Sequence, residues 1–297
     1  TVASSDADNQ SMITTYVWNN STQGTALGTS VNLTLDSNIA SRNDVIECIA
    51  TVTDASGDTA TSTTSITLGN RVPSSPTVTI DPSVAYVDST LTCIPSGSVD
   101  DDGDAVSYSY EWTVNGGSVV STTSTLSGEF VAGDTVQCTS NPSDGIADGN
   151  PSTQSIVISN AAPVVSSVVL SPDPAYTNDT ITATATDSDL DGDSTTLTYT
   201  WSVDGIEVQA SSANTLAGTL FSKNQTVSVS VVSNDGANDS AAGLASVIIN
   251  NTLPTKPSVS VSPSVPVEEE DDLTCSASGS TDDDGDTISY AFAWTVD

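Results

Sequence analysis

The chain has 297 residues, and its four Lys and Arg against 38 Asp and Glu, with no His, give a formal net charge of −34 at pH 7. Nucleic-acid affinity comes mainly from Lys and Arg, so this balance excludes nucleic acid and anionic membrane surfaces as partners. No run of about 18 apolar residues is present, and we expect no membrane insertion within this segment.

Ser and Thr are abundant, and they alternate with apolar residues that are mainly Val, Ile and Ala. Thr226–Val231 alternates strictly between polar and apolar residues, as a half-buried β-strand requires. Turn signals recur too often to leave room for helices. The sequence therefore predicts an all-β protein.

An acidic loop that leads into a strand with alternating aromatic residues occurs three times, and a degraded copy stands at Asp6–Gln10. The intact loops read Asp-x-Asp-Gly-Asp and lie at Asp100–Asp104, Asp189–Asp193 and Asp282–Asp286. Pro73, Pro163 and Pro254 mark a period of about 90 residues, the size of a small β-sandwich. We expect four repeats, which are 1–70 without its first strands, 71–160, 161–251, and 252–297 as the N-terminal part of a further repeat.

Within 71–160, strands are predicted in chain order at 73–80, 90–93 and 106–114, then as weaker strands within 119–126, and then at 135–138 and 155–158. About seven short strands separated by turns indicate immunoglobulin-like sandwiches in a linear tandem array. A Trp on the third strand is typical of the buried core of that fold. The predicted core Trp residues are Trp18, Trp112, Trp201 and Trp294.

Cys93 and Cys138 flank Trp112 in the order found in sandwiches whose two sheets are bridged. Both are replaced together in the third repeat, by Ala183 and Val229, as pairing requires. We therefore expect a Cys93–Cys138 disulfide that contributes about 3 to 4 kcal/mol, and an oxidising, extracellular or cell-surface location. Two buried free thiols are the alternative.

Cys48 and Cys275 have no partner within their own repeats. Cys48 lies on a late strand of the first repeat, whereas Cys275 lies on an early strand of the fourth. One interpretation is that the segment is a window from a longer array. The other is that an open repeat of one molecule is completed by strands of another, with an intermolecular Cys275–Cys48 bond.

Clustered carboxylates repel unless cations lie among them, and Asp at alternate positions before Gly is the start of a calcium loop. We expect Ca²⁺ at the junctions between repeats, where the loop before the last strand and the incoming linker approach the acidic loop. The alternative is a set of well-solvated turns. The degraded loop of the first repeat should bind worst. The candidate ligands are Asp100, Asp102, Asp104, Asp144, Asp187, Asp189, Asp191, Asp193, Asp235, Asp282, Asp284 and Asp286.

Catalysis has little support, and we expect no enzyme. Without His, no Ser/His/Asp or Cys/His arrangement is available. Lys223 and Lys256 are the candidate amine nucleophiles, and each stands in a turn or linker without a repeated context. The paired carboxylates lie on loops that the repeats share, which is unlike a single active site.

The motifs Pro-x-Ala-Tyr, Asp-x-Asp-Gly-Asp and Tyr-x-Trp-x-Val resemble the tandem PKD-like or Ig-like modules of large secreted bacterial and some archaeal surface proteins, over essentially the whole chain. The Trp-Asp-Phe-Gly-Asp-Gly motif of many PKD domains is absent. The resemblance implies a stalk, an adhesin shaft or a surface filament whose partners are neighbouring repeats or copies of itself in a fibre. The alternatives are a glycan- or protein-binding adhesion module and the accessory domains of a secreted hydrolase.

Overall fold

A computed structural model of the protein describes residues 3–5, 7–8 and 10–295. Its regular structure consists of β-strands and one short 3-10 turn at Gly218–Leu220, so the predicted all-β class is confirmed. The chain divides into two compact units, Thr1–Ser159 and Asn160–Asp297. Asp6 and Asn9 of the degraded acidic loop lie outside the described residues.

One antiparallel sheet forms within the first predicted repeat from β1 (Ile13–Asn20), β2 (Thr25–Gly28), β3 (Val45–Thr53) and β4 (Thr59–Thr67). Its strand order is β2-β1-β3-β4. Period-2 alternation places Trp18 opposite Cys48 and Tyr16 opposite Ala50 on one face, which we call the inner face. In the described part of residues 1–70, no second sheet lies on this face.

Two sheets form within the second predicted repeat. Their strands are β5 (Thr77–Asp81), β6 (Leu91–Ser96), β7 (Ser107–Val114), β8 (Val119–Ser121), β9 (Thr125–Leu126), β10 (Thr135–Ser143) and β11 (Ser152–Val157). One sheet has the order β5-β6-β9 and the other β11-β10-β7-β8. Apolar side chains from both sheets, among them Leu91 and Val136, meet in one buried core, as in an immunoglobulin-like sandwich.

The predicted disulfide joins these two sheets. Cys93 on β6 is bonded to Cys138 on β10, and both residues are buried. Trp112 lies opposite Cys138 on the neighbouring strand β7 and is completely buried. The bridge and the Trp therefore occupy the centre of the core, as the order of the three residues predicts.

The third predicted repeat has the same arrangement. Its strands are β12 (Val164–Ser171), β13 (Ala175–Tyr176), β14 (Ile181–Ser188), β15 (Thr196–Val203), β16 (Ile206–Ser211), β17 (Thr215–Leu216), β18 (Thr226–Asn234) and β19 (Gly243–Asn250). They form the sheets β12-β14-β17 and β13-β19-β18-β15-β16. Trp201 is completely buried opposite Val229, and Ala183 fills the other position of the missing bridge. Packing of apolar side chains replaces the disulfide in this core.

The fourth predicted repeat contains one strand pair, β20 (Ser258–Ser262) with β21 (Thr274–Ser278), in its described part. The aromatic alternation at Tyr290, Phe292 and Trp294 predicts a further strand, but residues 287–295 form none. The prediction that Trp294 is a core residue is therefore wrong for this structure, because its side chain is 56% exposed. Trp18 is half-buried, because no second sheet covers it in the described part of the first repeat.

Candidate cation sites in the acidic loops

The three intact acidic loops share one hydrogen-bonded turn. In each loop the first Asp accepts, through Oδ1, the backbone N–H groups of the residues two and four positions later. For Asp189 these distances are 2.8 and 3.2 Å, and the corresponding bonds occur at Asp100 and Asp282. The Gly in each loop has a positive φ of 76–84°, a conformation that favours Gly. The turn draws three alternate carboxylates together in the sets Asp189/Asp191/Asp193 and Asp282/Asp284/Asp286, whereas Asp100, Asp102 and Asp104 of the second repeat share the turn but form no such group.

Arg71 lies in the linker between the first and second repeats, and it forms hydrogen bonds to the acidic loop of the second repeat. Its backbone N–H lies 2.7 Å from Oδ2 of Asp102, and its Nε lies 2.8 Å from Oδ1. The Asp102 side chain is only 3% exposed, and the backbone N–H of Arg71 holds the pKa of its carboxyl below the usual value against the opposing effect of burial. An ion pair that is partly open to water adds little to global stability, so its main effect is to fix the position of the linker.

A second basic residue reaches the same loop from the first repeat. A guanidinium nitrogen of Arg42 lies 3.0 Å from Oδ2 of Asp104, and another contact of 3.2 Å joins Arg42 to the linker residue Asn70. Arg42 stands three residues before β3, the strand of the first repeat that matches β10 of the second repeat. The first repeat is therefore tied to the acidic loop of the second.

Lys223 has the same role in the second compact unit. It stands three residues before β18, and its Nζ bonds both Asp286 in the acidic loop of the fourth repeat and Asn251 in the linker, the latter at 3.2 Å. The hydrogen bond to Asp286 raises the pKa of Lys223. The interpretation that Lys223 has no repeated context is thus wrong, because Arg42 occupies the matching position two repeats earlier.

Each linker is also held by backbone and amide groups. The backbone N–H groups of Ala161 and Thr252 each donate to a carboxylate oxygen at 2.5 Å, of Asp191 and Asp284 respectively, and that of Arg71 donates to Asp102 at 2.7 Å. The linker amides Asn70 and Asn160 donate to Asp144 and Asp235 at 2.7 and 2.8 Å. In the second and third repeats, the linker thus forms hydrogen bonds both to the middle Asp of the acidic loop and to the Asp that precedes the last strand.

The acidic loops are numbered here by their repeats, so the second, third and fourth loops begin at Asp100, Asp189 and Asp282. The third loop differs from the second in the positive charge that lies beside its carboxylates. The carboxylate oxygens of Asp189, Asp191 and Asp193 lie within 4.8 Å of one another. Oδ2 of Asp189 and Oδ1 of Asp191 are buried without a hydrogen-bond partner. Among the described residues, no basic side chain pairs with these three carboxylates. Three negative charges therefore lie together with no internal positive charge.

The fourth loop is intermediate between the second and third loops in the positive charge that the protein supplies to it. Asp282, Asp284 and Asp286 also lie within 4.8 Å of one another, and Oδ1 of Asp284 is buried without a hydrogen-bond partner. Here Lys223 neutralises part of the charge through Asp286. The three loops thus share one turn but differ in how much positive charge the protein itself supplies.

Three of the predicted ligands lie outside the Asp groups. Asp187 accepts from the hydroxyls of Thr195 and Ser233 at 2.7 and 2.6 Å, and the bond from Ser233 is the main cause of its lowered pKa. Asp144 and Asp235 accept backbone N–H groups of their own turns in addition to the linker amides, and these N–H groups are the main cause of their lowered pKa values. The carboxylates of all three residues serve as hydrogen-bond acceptors that fix loops.

The basic residues of the junctions were the part of the site that sequence reasoning missed. Arg42 and Lys223 can be matched by counting back from the late strand of each repeat, and that spacing was the available signal. Their partners, Asp104 and Asp286, lie 62 and 63 residues further along the chain. No local pattern connects residues so far apart.

The sheets and the buried Trp residues define an all-β protein of tandem immunoglobulin-like sandwiches. No protein-family model and no curated protein matches the sequence. Among solved structures, the FN1–FN3 domains of chicken CNTN1 are 12% identical, over 82% of this chain and 91% of that chain, with a TM-score of 0.28. A likeness of this size carries no argument, and the fold class rests on the sheets themselves. In the described part of the chain, no helix is long and apolar enough to cross a membrane.

Proposed function

We propose that the chain is a structural segment of an extracellular, surface-associated protein, in which sandwich repeats form a stalk, shaft or filament. The observation that supports this proposal is the use of the basic residues. The chain has only four Lys and Arg, and three of them, Arg42, Arg71 and Lys223, bond to an acidic loop at the start of a repeat. Because the chain has so few basic residues, the position of three of them at acidic loops favours fixed joints between repeats.

The remaining features agree with this role. The disulfide of the second repeat is typical of proteins outside the cytosol. A large negative charge keeps a long surface protein soluble and prevents its repeats from associating at random. The bacterial or archaeal PKD-like modules that the motifs resemble are used as spacers and fibre-forming repeats, and the proposal assigns no catalytic residue.

Imaging of native material tests the structural role. Negative-stain micrographs are expected to show extended particles or fibres, because each repeat is held to the linker that precedes it. Compact, isolated globules in the native material would contradict the proposal.

We further propose that the third acidic loop binds Ca²⁺. Calcium is a hard cation that takes carboxylate oxygens, and two of the oxygens in this loop are buried without a partner. In the second loop, Arg42 and Arg71 already supply positive charge, whereas the third loop has no such residue among its described contacts. The expected order of calcium affinity is therefore third loop, then fourth, then second.

Melting curves in calcium and in chelator test this site. Binding to the folded state alone should stabilise the protein by about 2.7 kcal/mol at a calcium concentration 100 times the Kd, which raises the melting midpoint. Asp193→Asn should remove most of the shift, because Asp193 contributes to the carboxylate group without anchoring the turn. Asp104→Asn, at the matching position of the second loop, is the control and should keep the shift. An equal midpoint in calcium and in chelator would exclude the site.

A further inference from the structure

One residue of each linker differs between repeats although its backbone is held in the same way. It is the first residue after the linker Asn, and we call its place the variable linker position. Its backbone N–H donates to a carboxylate oxygen of the middle Asp of the acidic loop, at 2.5–2.7 Å in all three linkers. The residues at this position are Arg71, Ala161 and Thr252, before the second, third and fourth loops.

In the second repeat, the side chain at this position brings a positive charge to the loop. Oδ2 of Asp102 accepts the backbone N–H of Arg71, and Oδ1 accepts the guanidinium, with Nε and a terminal nitrogen each 2.8 Å away. The Asp102 side chain is only 3% exposed, and a buried carboxylate is costly unless it is paired. Arg71 therefore satisfies one oxygen through its backbone and the other through its charge.

In the third and fourth repeats, the matching oxygen has no partner. The backbone N–H of Ala161 bonds Oδ2 of Asp191, and Oδ1 is buried without a hydrogen-bond partner in the described structure. Thr252 donates both its N–H and its hydroxyl to Oδ2 of Asp284, and again Oδ1 is buried without a partner. The unpaired oxygen thus occurs in the two loops whose variable linker position is not basic.

The carboxylates around Asp191 make this place suited to a cation. Oδ1 of Asp189 holds the turn by accepting the N–H groups of Asp191 and Asp193, which leaves its Oδ2 buried and unpaired. In both Asp189 and Asp191, one oxygen therefore fixes the backbone and the other is left over. Oxygens of these three residues lie within 4.8 Å of one another. A hard divalent cation takes several carboxylate oxygens and relieves their mutual repulsion.

We propose that the residue at the variable linker position determines whether an acidic loop takes a metal ion. Arg71 is the built-in counter-ion of the second loop, whereas Ala161 leaves the equivalent place beside Asp191 to a hard divalent cation such as Ca²⁺. Because the guanidinium and the metal ion satisfy the same oxygen, a loop takes one or the other. The inference rests on the calcium site proposed above, and it identifies the linker residue that selects for that site.

Placing an arginine before the third loop tests the proposal. Calcium binding is measured by isothermal titration of the native chain, Ala161→Arg and Ala162→Arg with CaCl₂. Ala161→Arg should lose the tightest calcium equivalent, because the guanidinium takes Oδ1 of Asp191. Ala162→Arg adds the same charge at the adjacent, exposed residue and should keep that equivalent. Melting curves in chelator show whether both variants fold.

The reverse exchange in the second repeat removes a side chain, so it cannot fail by crowding. Ala161 is only 9% exposed, and if Ala161→Arg does not fold, this second exchange decides. Arg71→Ala frees Oδ1 of Asp102 and should add one weak calcium equivalent, whereas Arg71→Lys retains the positive charge and should add none. Asp102→Asn, combined with Arg71→Ala, should abolish the added equivalent and so locate it at the second loop.

The outcomes separate this inference from the calcium site itself. Calcium binding that persists in a folded Ala161→Arg, or an Arg71→Ala variant that gains none, would overturn the inference and leave the calcium site of the third loop in place. Loss of calcium in Ala162→Arg as well would show a general charge effect and would also overturn it. A native chain that binds no calcium would overturn both proposals. None of these results affects the imaging test of the structural role.

Discussion

Replacing both Cys93 and Cys138 with Ala is expected to lower the free energy of unfolding of the second repeat by about 4 kcal/mol. The two residues are separated by 45 positions, and the bond removes the conformational freedom of that loop from the unfolded chain. A domain of this size has a total stability of about 5–15 kcal/mol. The loss is therefore a large share of what holds the repeat together.

Urea denaturation of the protein with and without a reducing agent measures the effect. The native protein should show a transition that moves to lower urea in the reducing agent, whereas the Cys93→Ala/Cys138→Ala variant should show the shifted transition in both conditions. The third repeat serves as the internal control, because Ala183 and Val229 fill the matching positions without a bridge. An unchanged transition in the variant would mean that the bridge does not stabilise the fold.

The fold could be predicted from the sequence because its signals are local and repeated. The period-2 alternation is visible within a few residues, whereas the order of Cys93, Trp112 and Cys138 and the 90-residue period are visible because equivalent positions recur along the chain. The prediction for Trp294 failed for the opposite reason. Tyr290, Phe292 and Trp294 alternate as a strand does, but a strand needs a pairing partner, and the described part of the fourth repeat offers none to residues 287–295.

The candidate site could be predicted only in part. The Asp-x-Asp-Gly-Asp spacing identified the residues that come together in the third and fourth loops. The candidate ligands also included Asp187, two residues before this motif, whose carboxylate is instead held by Ser233 on β18. The internal counter-charges Arg42 and Lys223 come from the preceding repeat, and their contacts depend on how folded repeats meet. Spacing along the chain cannot show such contacts.

The second large effect concerns the linker itself. Asp102→Asn is expected to accelerate tryptic cleavage after Arg71 by about 10- to 100-fold, because it weakens two charge-assisted hydrogen bonds that must open before the protease can bind the Arg. These are the bonds from the backbone N–H and from Nε of Arg71. Because an amide has one oxygen where the carboxylate has two, the variant cannot accept both with equal strength.

Asp101→Asn is the matched control. Asp101 is the adjacent loop residue, its side chain is 73% exposed, and its carboxylate lies 3.9 Å from the Arg71 guanidinium. An exposed pair at this distance contributes little, so cleavage of this variant should proceed at nearly the native rate. With only four Lys and Arg in the chain, each tryptic fragment can be assigned by mass.

The rate of cleavage after Arg71 in the native protein, in Asp102→Asn and in Asp101→Asn tests most directly whether an acidic loop holds the linker in front of it. We predict slow cleavage in the native protein and in Asp101→Asn, and cleavage about 10- to 100-fold faster in Asp102→Asn. Equal rates in all three proteins would contradict the claim that the acidic loops act as joints between repeats.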